Sequence, residues 1–160
     1  MTPEAKAREK IDQKLTQAGW LVQDFKTVNL SAATGIAVRE HPTDTGPADY
    51  VLYVNRSAVG VIEAKRDEAG ENLTAHEAQT ERYAGATLKW RQDKTPLPFL
   101  FESTGQIIHF TDGRDPAPRA REIFHFFQPD TLAQWLDQPA TLRRRLKEHM
   151  PPLPAQRLRD

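Results

Sequence analysis

Apolar residues recur along this chain with two different periods. Between positions 3 and 18, Ala7, Ile11 and Leu15 repeat every fourth residue among charged neighbours, the spacing of one helix face. Thr2 suits the N-cap, Pro3 the first helical position, and Gly19 stands where such a helix should stop. Beyond it the pattern turns strand-like. Trp20-Leu21-Val22 and Ile36 to Arg39 read as short strands around an irregular stretch, 24 to 35. His41 to Pro47, with two prolines, a glycine and two threonines, is a loop. It leads into two apolar runs, Tyr50 to Val54 and Val59 to Ile62, rich in β-branched and aromatic residues. They flank the polar segment Asn55-Arg56-Ser57-Ala58, which predicts a β-hairpin.

Arg66 to Asn72 is charged and breaks the pattern. A helix follows over 74–90, capped by Thr74 with Glu77 three residues later, and Pro96 and Pro98 close it off. Phe99 to Phe101 and Gln106 to Phe110 read as strands joined by the turn Ser103-Thr104-Gly105. After a Pro/Gly/Asp-rich loop, Thr111 to Arg119, the apolar run Glu122 to Phe127 is either a strand or an arm packed on the body. Thr131 to Leu136 and Thr141 to His149 are short helices broken at Pro139, and Met150 to Pro154 reads as a stiff linker. The prediction is an α/β fold, a central mixed sheet of four or five strands flanked by the first helix and helix 74–90. Residues 1–136 would form the main domain and 137–160 a helical extension.

Charge sits at the open end of the hairpin. A three-residue loop, Asn55 to Ser57, pairs Val54 with Ala58 and Tyr53 with Val59, and so brings Asp49 opposite Glu63. Five loop residues give the same pairing, whereas a regular two-residue loop does not. Lys65, two residues beyond Glu63, shares that face. Placing these groups in an apolar strand is costly unless they are paired or bind an ion. In a chain with 28% charged residues, Glu-x-Lys alone reads as a salt-bridged strand end in solvent. Asp49 on the neighbouring strand makes it more pointed. Two close carboxylates form an oxygen-ligand site suited to Mg²⁺ or Mn²⁺, with Lys65 as a point charge beside it.

Composition narrows the class. With 160 residues, no run of 18 apolar residues and no charged-then-apolar leader, neither a membrane span nor secretion is expected. The absence of cysteine excludes a disulfide framework and any thiolate metal site, and fits a cytoplasmic bacterial protein. The histidines lack paired metal spacing, so zinc is not expected; His41 in its loop reads as polar surface. Arg143-Arg144-Arg145 with Lys147 is the densest basic cluster and reads as a solvated helix face.

Pro47-Ala48-Asp49 followed by Glu63-Ala64-Lys65 resembles the active-site motif of the PD-(D/E)xK nuclease superfamily. Gln79 and Tyr83, four residues apart on one helix face with Arg82 nearby, are similar to the Gln-x-x-x-Tyr helix of the branch containing type I restriction nucleases. Gly60 to Lys65, Phe99 to Gly105 and Phe110 to Gly113 resemble blocks in the restriction (R) subunits of those systems. The resemblance implies a restriction-endonuclease-like core that cleaves double-stranded DNA. Asp49, Glu63 and the Ala64 carbonyl would hold Mg²⁺ or Mn²⁺, Lys65 would stabilise developing charge, and Gln79 and Tyr83 would position the site. Some relatives add an acid from the first helix; Glu4 or Glu9 could serve here, but on so charged a helix each reads as a solvated acid. In these families an ATP-driven motor follows the nuclease. This chain carries no Gly-x-x-x-x-Gly-Lys-[Ser/Thr] loop, so ATP would act only in a motor C-terminal to residue 160. Specificity and methyltransferase subunits are the implied partners. The alternatives are a repair or modification-dependent nuclease of the same superfamily, or a non-catalytic docking module.

Basic and acidic residues number 22 each. Affinity for nucleic acid comes mainly from neutralising phosphates, so residues 1–160 alone should bind DNA weakly at physiological salt. Nanomolar binding in a fluorescence-anisotropy titration would contradict this.

Overall fold

The computed structural model describes residues 2–66 and 96–150. Helix α1 (Pro3–Gln17) precedes β1 (Leu21–Asp24), a 3₁₀ turn (Phe25–Thr27), β2 (Gly35–His41), β3 (Ala48–Val54) and β4 (Ser57–Ala64). β5 (Phe99–Ser103), β6 (Ile108–Asp112), β7 (Arg121–Ile123), α2 (Pro129–Asp137) and α3 (Leu142–His149) follow. The helix expected over 74–90, with Gln79 and Tyr83, lies outside the described residues, as does the linker beyond Met150.

The strands form one seven-stranded sheet in chain order. It is mixed: β1–β2 and β4–β5 run parallel and the other pairs antiparallel. The sheet is wider than the four or five strands expected, because the short edge segments read at Trp20 to Val22 and at the start of Glu122 to Phe127 both join it, as β1 and β7. Of the run Glu122 to Phe127 only the start belongs to β7, while Phe126 and Phe127 turn onto the aromatic core. Parallel neighbours need a crossover connection, and residues 65–98 are long enough to supply one.

α1 forms as its periodicity dictates. Thr2 Oγ1 accepts the Ala5 N–H at 3.2 Å, Pro3 opens the helix, and Gly19 at φ +90° follows the C-cap Ala18. Ala7, Ile11 and Leu15 are buried. Ile11, Leu15 and Trp20 pack on the sheet face formed by Tyr50, Leu52, Ile62, Phe99 and Phe110, where Leu132 of α2 joins them. Val38, Val51, Tyr53, Val61 and Leu100 face the other way, beneath Phe25, Val28 and Leu30. Burial on both faces explains why β3 and β4 read as continuous apolar runs.

The hairpin reaches its expected register by an unexpected route. Its loop has two residues, not three: Val54 pairs with Ser57, and Asn55 and Arg56 both adopt left-handed conformations (φ +49° and +67°). Such a turn matches the twist of the flanking strands. By itself it would leave Asp49 and Glu63 on opposite faces. The register then shifts, with Tyr53 paired to Ala58 but Leu52 to Gly60, so that Val59 is an extra residue in β4. Val51 meets Val61 and Tyr50 meets Ile62 beyond this bulge, which sets Asp49 opposite Glu63. Gly60 follows directly. A Cβ there would stand 2.8 Å from the Phe99 carbonyl oxygen, so the close approach of β4 to β5 requires glycine.

Arginine in the left-handed region at position 56 is strained, whereas glycine is not. Arg56→Gly should stabilise the chain by about 0.5–1 kcal/mol, the relief exceeding the added unfolded-state entropy. Urea unfolding measures this, and a loss of stability would contradict it.

Candidate active site

Asp49 enters β3 one residue after the strand begins, and Glu63 lies one residue before β4 ends. Pairing across the hairpin sets both on the face of Val51 and Val61. The Asp49, Glu63 and Lys65 side chains are only 13%, 9% and 12% exposed, so each depends on its neighbours for solvation. Asp49 is held from two sides. Its Oδ2 accepts the Ala64 N–H at 2.9 Å, and its Oδ1 accepts from Arg8 Nη2 of α1. The first bond joins Asp49 to the backbone between Glu63 and Lys65. Lys65 Nζ donates to Glu63 Oε1 at 3.3 Å, and the Lys65 N–H donates to the Ser103 carbonyl at 2.8 Å.

The electrostatics are those of crowded anions. Burial, and then the charge of Asp49, push the Glu63 carboxyl from its ordinary 4.5 up to about 7, although Lys65 pulls it back. A cation between the two carboxylates would relieve this repulsion, and the donor set is all oxygen. The residues present therefore fit a hard divalent ion such as Mg²⁺ or Mn²⁺. Among the described residues no three His, Cys, Asp or Glu side chains form a metal-binding group.

α1 contributes a base to the site rather than an acid. Arg8 bridges Asp49 and Glu40, whereas Glu4 pairs with Arg66 (3.1 Å) and Glu9 is exposed. One turn on, Asp12 Oδ1 accepts the Tyr50 hydroxyl at 2.7 Å, and Asp12 Oδ2 accepts Arg39 Nη2 at 2.7 Å. These bonds fix the helix against the root of the hairpin. Arg8 and Asp12, four apart beside the Ala7–Ile11 stripe, were the available sequence signal.

Two further polar residues of this face went unread. Glu102, 5% exposed, pairs with Glu63 across the parallel β4–β5 ladder, and His109 pairs with Glu102 on β6. An acid inside the apolar run Phe-Leu-Phe-Glu was the mark of the first. His41 is not polar surface but fully buried at the end of β2. The left-handed Glu40 (φ +52°) breaks the strand alternation and turns His41 towards Tyr53 and Phe25. Its Nδ1–H donates to the Pro42 carbonyl at 2.9 Å and its Nε2 accepts the Tyr53 hydroxyl at 2.9 Å. Burial lowers its pKa, against the pull of the Pro42 bond, and so favours this neutral ring.

A family model described as the second domain of the type I restriction enzyme EcoKI endonuclease subunit matches residues 25–136. A search of curated proteins finds no match. Among solved structures, the chain is similar to a fragment described as an HsdR subunit of a type I restriction enzyme from Vibrio vulnificus YJ016. The identity is 21%, over 84% of this chain and 25% of that one, with a TM-score of 0.52. It is also similar to the type IIG restriction endonuclease BpuSI, at 17% identity over 71% of this chain and 11% of that one, with a TM-score of 0.44. The chain thus spans a quarter or less of the structures it resembles. The first likeness bears on the fold.

Glu63 also sets a pH dependence. A carboxyl whose folded pKa lies above its unfolded value gives stability that is present below about 4.5 and lost as pH rises to about 7. Glu63→Gln should therefore be more stable than the ion-free wild type at pH 8, with the gap closing towards pH 4.5. Urea unfolding across that range checks it, and a gap that widens at low pH would contradict it.

Proposed function

The chain belongs to the family of the EcoKI endonuclease subunit's second domain, and from this premise we propose that it is a DNA-cleaving domain. The observation that carries the reading is the meeting of Asp49, Glu63 and Lys65 at one end of β3 and β4. Asp49 and Glu63, with the Ala64 backbone beside them, would hold Mg²⁺ or Mn²⁺. Bound there, such an ion polarises the scissile phosphodiester and lowers the pKa of water.

The chain's own residues do the rest. The Ala64 N–H and Arg8 fix the Asp49 carboxylate, so its orientation is set before any ligand arrives. Glu63 must lose its proton to take up a cation, so divalent-ion affinity would fall with pH below about 7. Lys65, held against Glu63, supplies a fixed positive charge for the anion that develops on the phosphate. Gln79 and Tyr83 are proposed to orient the lysine or the phosphate from the helix expected after β4. We read the domain as part of a type I restriction R subunit. Its partners would be double-stranded DNA, specificity and methyltransferase subunits, and an ATP-driven motor.

Asp49→Ala, Glu63→Ala and Lys65→Ala in the complete restriction enzyme should each reduce DNA cleavage by about a hundredfold or more. Native-like melting of the same variants in the 160-residue chain would confirm that folding is intact. Undiminished cleavage in all three would end the reading.

A further inference from the structure

A second concentration of charge lies at the other end of the sheet. A cavity of about 380 Å³ opens between β6, the loop after it, and helices α2 and α3. Arg114, Arg119, Arg121, Arg143 and Arg145 line it, and its acids are Asp112 and Asp115. Both acids are engaged. Arg114 clamps Asp112 through Nε (3.1 Å) and Nη2 (3.0 Å), and Arg143 reaches Asp115 at 3.5 Å.

Three guanidiniums are left over. Among the described residues Arg119, Arg121 and Arg145 make no ion pair. Arg121 lies over the Phe110 ring, 5.4 Å from its centroid. Arg145 Nε is buried and has no hydrogen-bond partner. Buried donors are almost always satisfied, so this one calls for an acceptor. Like charges gathered around one cavity repel, and nothing in a chain of zero net charge requires the excess to collect here.

The chemistry of the lining selects the ligand. Guanidinium forks match the oxygens of phosphate and carboxylate alike. Three of them converging favour phosphate, which offers more acceptor oxygens and more charge than a carboxylate. Half-buried Trp135 adds an aromatic wall, and the volume suits a ligand of nucleotide size. The cavity lies beside Phe110 and Asp112, on the face covered by α1 and α2. Asp112 pairs with Phe99 at the end of β5 remote from Glu102, the neighbour of Glu63. The carboxylate site is thus on the opposite face and at the opposite end.

We propose that this cleft is an anion site for a phosphate-bearing ligand, a mononucleotide or the backbone of a nucleic acid. It is independent of the cleavage reading, since neither Asp49 nor Glu63 takes part. Calorimetric titration of the 160-residue chain with inorganic pyrophosphate, deoxyadenosine monophosphate and a short DNA duplex tests it. At least one probe should bind, and Arg119→Ala and Arg145→Ala should each weaken it about tenfold. Saturation by the mononucleotide identifies a small ligand, and binding of the duplex alone, weakening with salt, identifies a nucleic-acid backbone. Arg119 is exposed, so its variant tests the site even where Arg145→Ala disturbs folding. Failure of all three probes to bind, or wild-type affinity in the folded Arg119→Ala protein, would overturn the proposal.

Discussion

The pairing of β3 with β4 is the constraint on which both the fold and the candidate site depend. Side chains alternate along a strand, so a slip of one residue would exchange every partner between faces. The two-residue turn at Asn55–Arg56 sets one register near the tip, and the bulge at Val59 sets another beyond it. Only the second lets Asp49 and Glu63 share a side. Because both faces are packed, any alternative register would drive these charges into apolar surroundings, and the pairing is correspondingly well specified.

Bringing buried charges together is unfavourable, and the surroundings show how the cost is offset. Each Asp49 oxygen has a donor, one from the Ala64 backbone and one from Arg8. Arg8 is held in turn because α1 buries Ile11 and Leu15 and ties Asp12 to Tyr50 and Arg39. Glu63 is less well compensated. Lys65 offsets only part of its burial and of its repulsion by Asp49, so the deficit that remains is positive charge.

Much of this was legible in the residues, because periodicity is a local property. The Ala7–Ile11–Leu15 repeat predicts α1 and its buried face, and the two apolar runs around Asn55 predict the hairpin. The facing of Asp49 and Glu63 follows from a three-residue loop and also from the observed turn plus bulge, which cancel to the same offset. A bulge leaves no mark in composition, so sequence could not tell the two apart. What escaped was long-range or very short. Strand β7 spans only three residues, too few to decide between the strand and the arm that its run allowed. Arg8, Glu102 and His41 acquire their neighbours only through tertiary packing, and a polar residue beside an apolar stripe looks the same whether it faces water or a buried partner. For the same reason spacing could not choose a first-helix neighbour for the site: Glu4 and Glu9 stay helix-surface acids, and it is Arg8 that reaches Asp49.

The two bonds to Asp49 also differ in the length of chain each must close. Its contact with the Ala64 N–H spans 15 positions, whereas that with Arg8 spans 41. Hairpins close within microseconds, and longer loops carry a larger entropic cost. By loop closure alone the contact across the hairpin is therefore the less costly of the two, by about 1 kcal/mol, and docking of α1 carries the larger entropic cost. The guanidinium clamp on Asp49 thus depends on the whole amino-terminal segment from α1 to β3 being in place, whereas the bond to Ala64 depends on the hairpin alone.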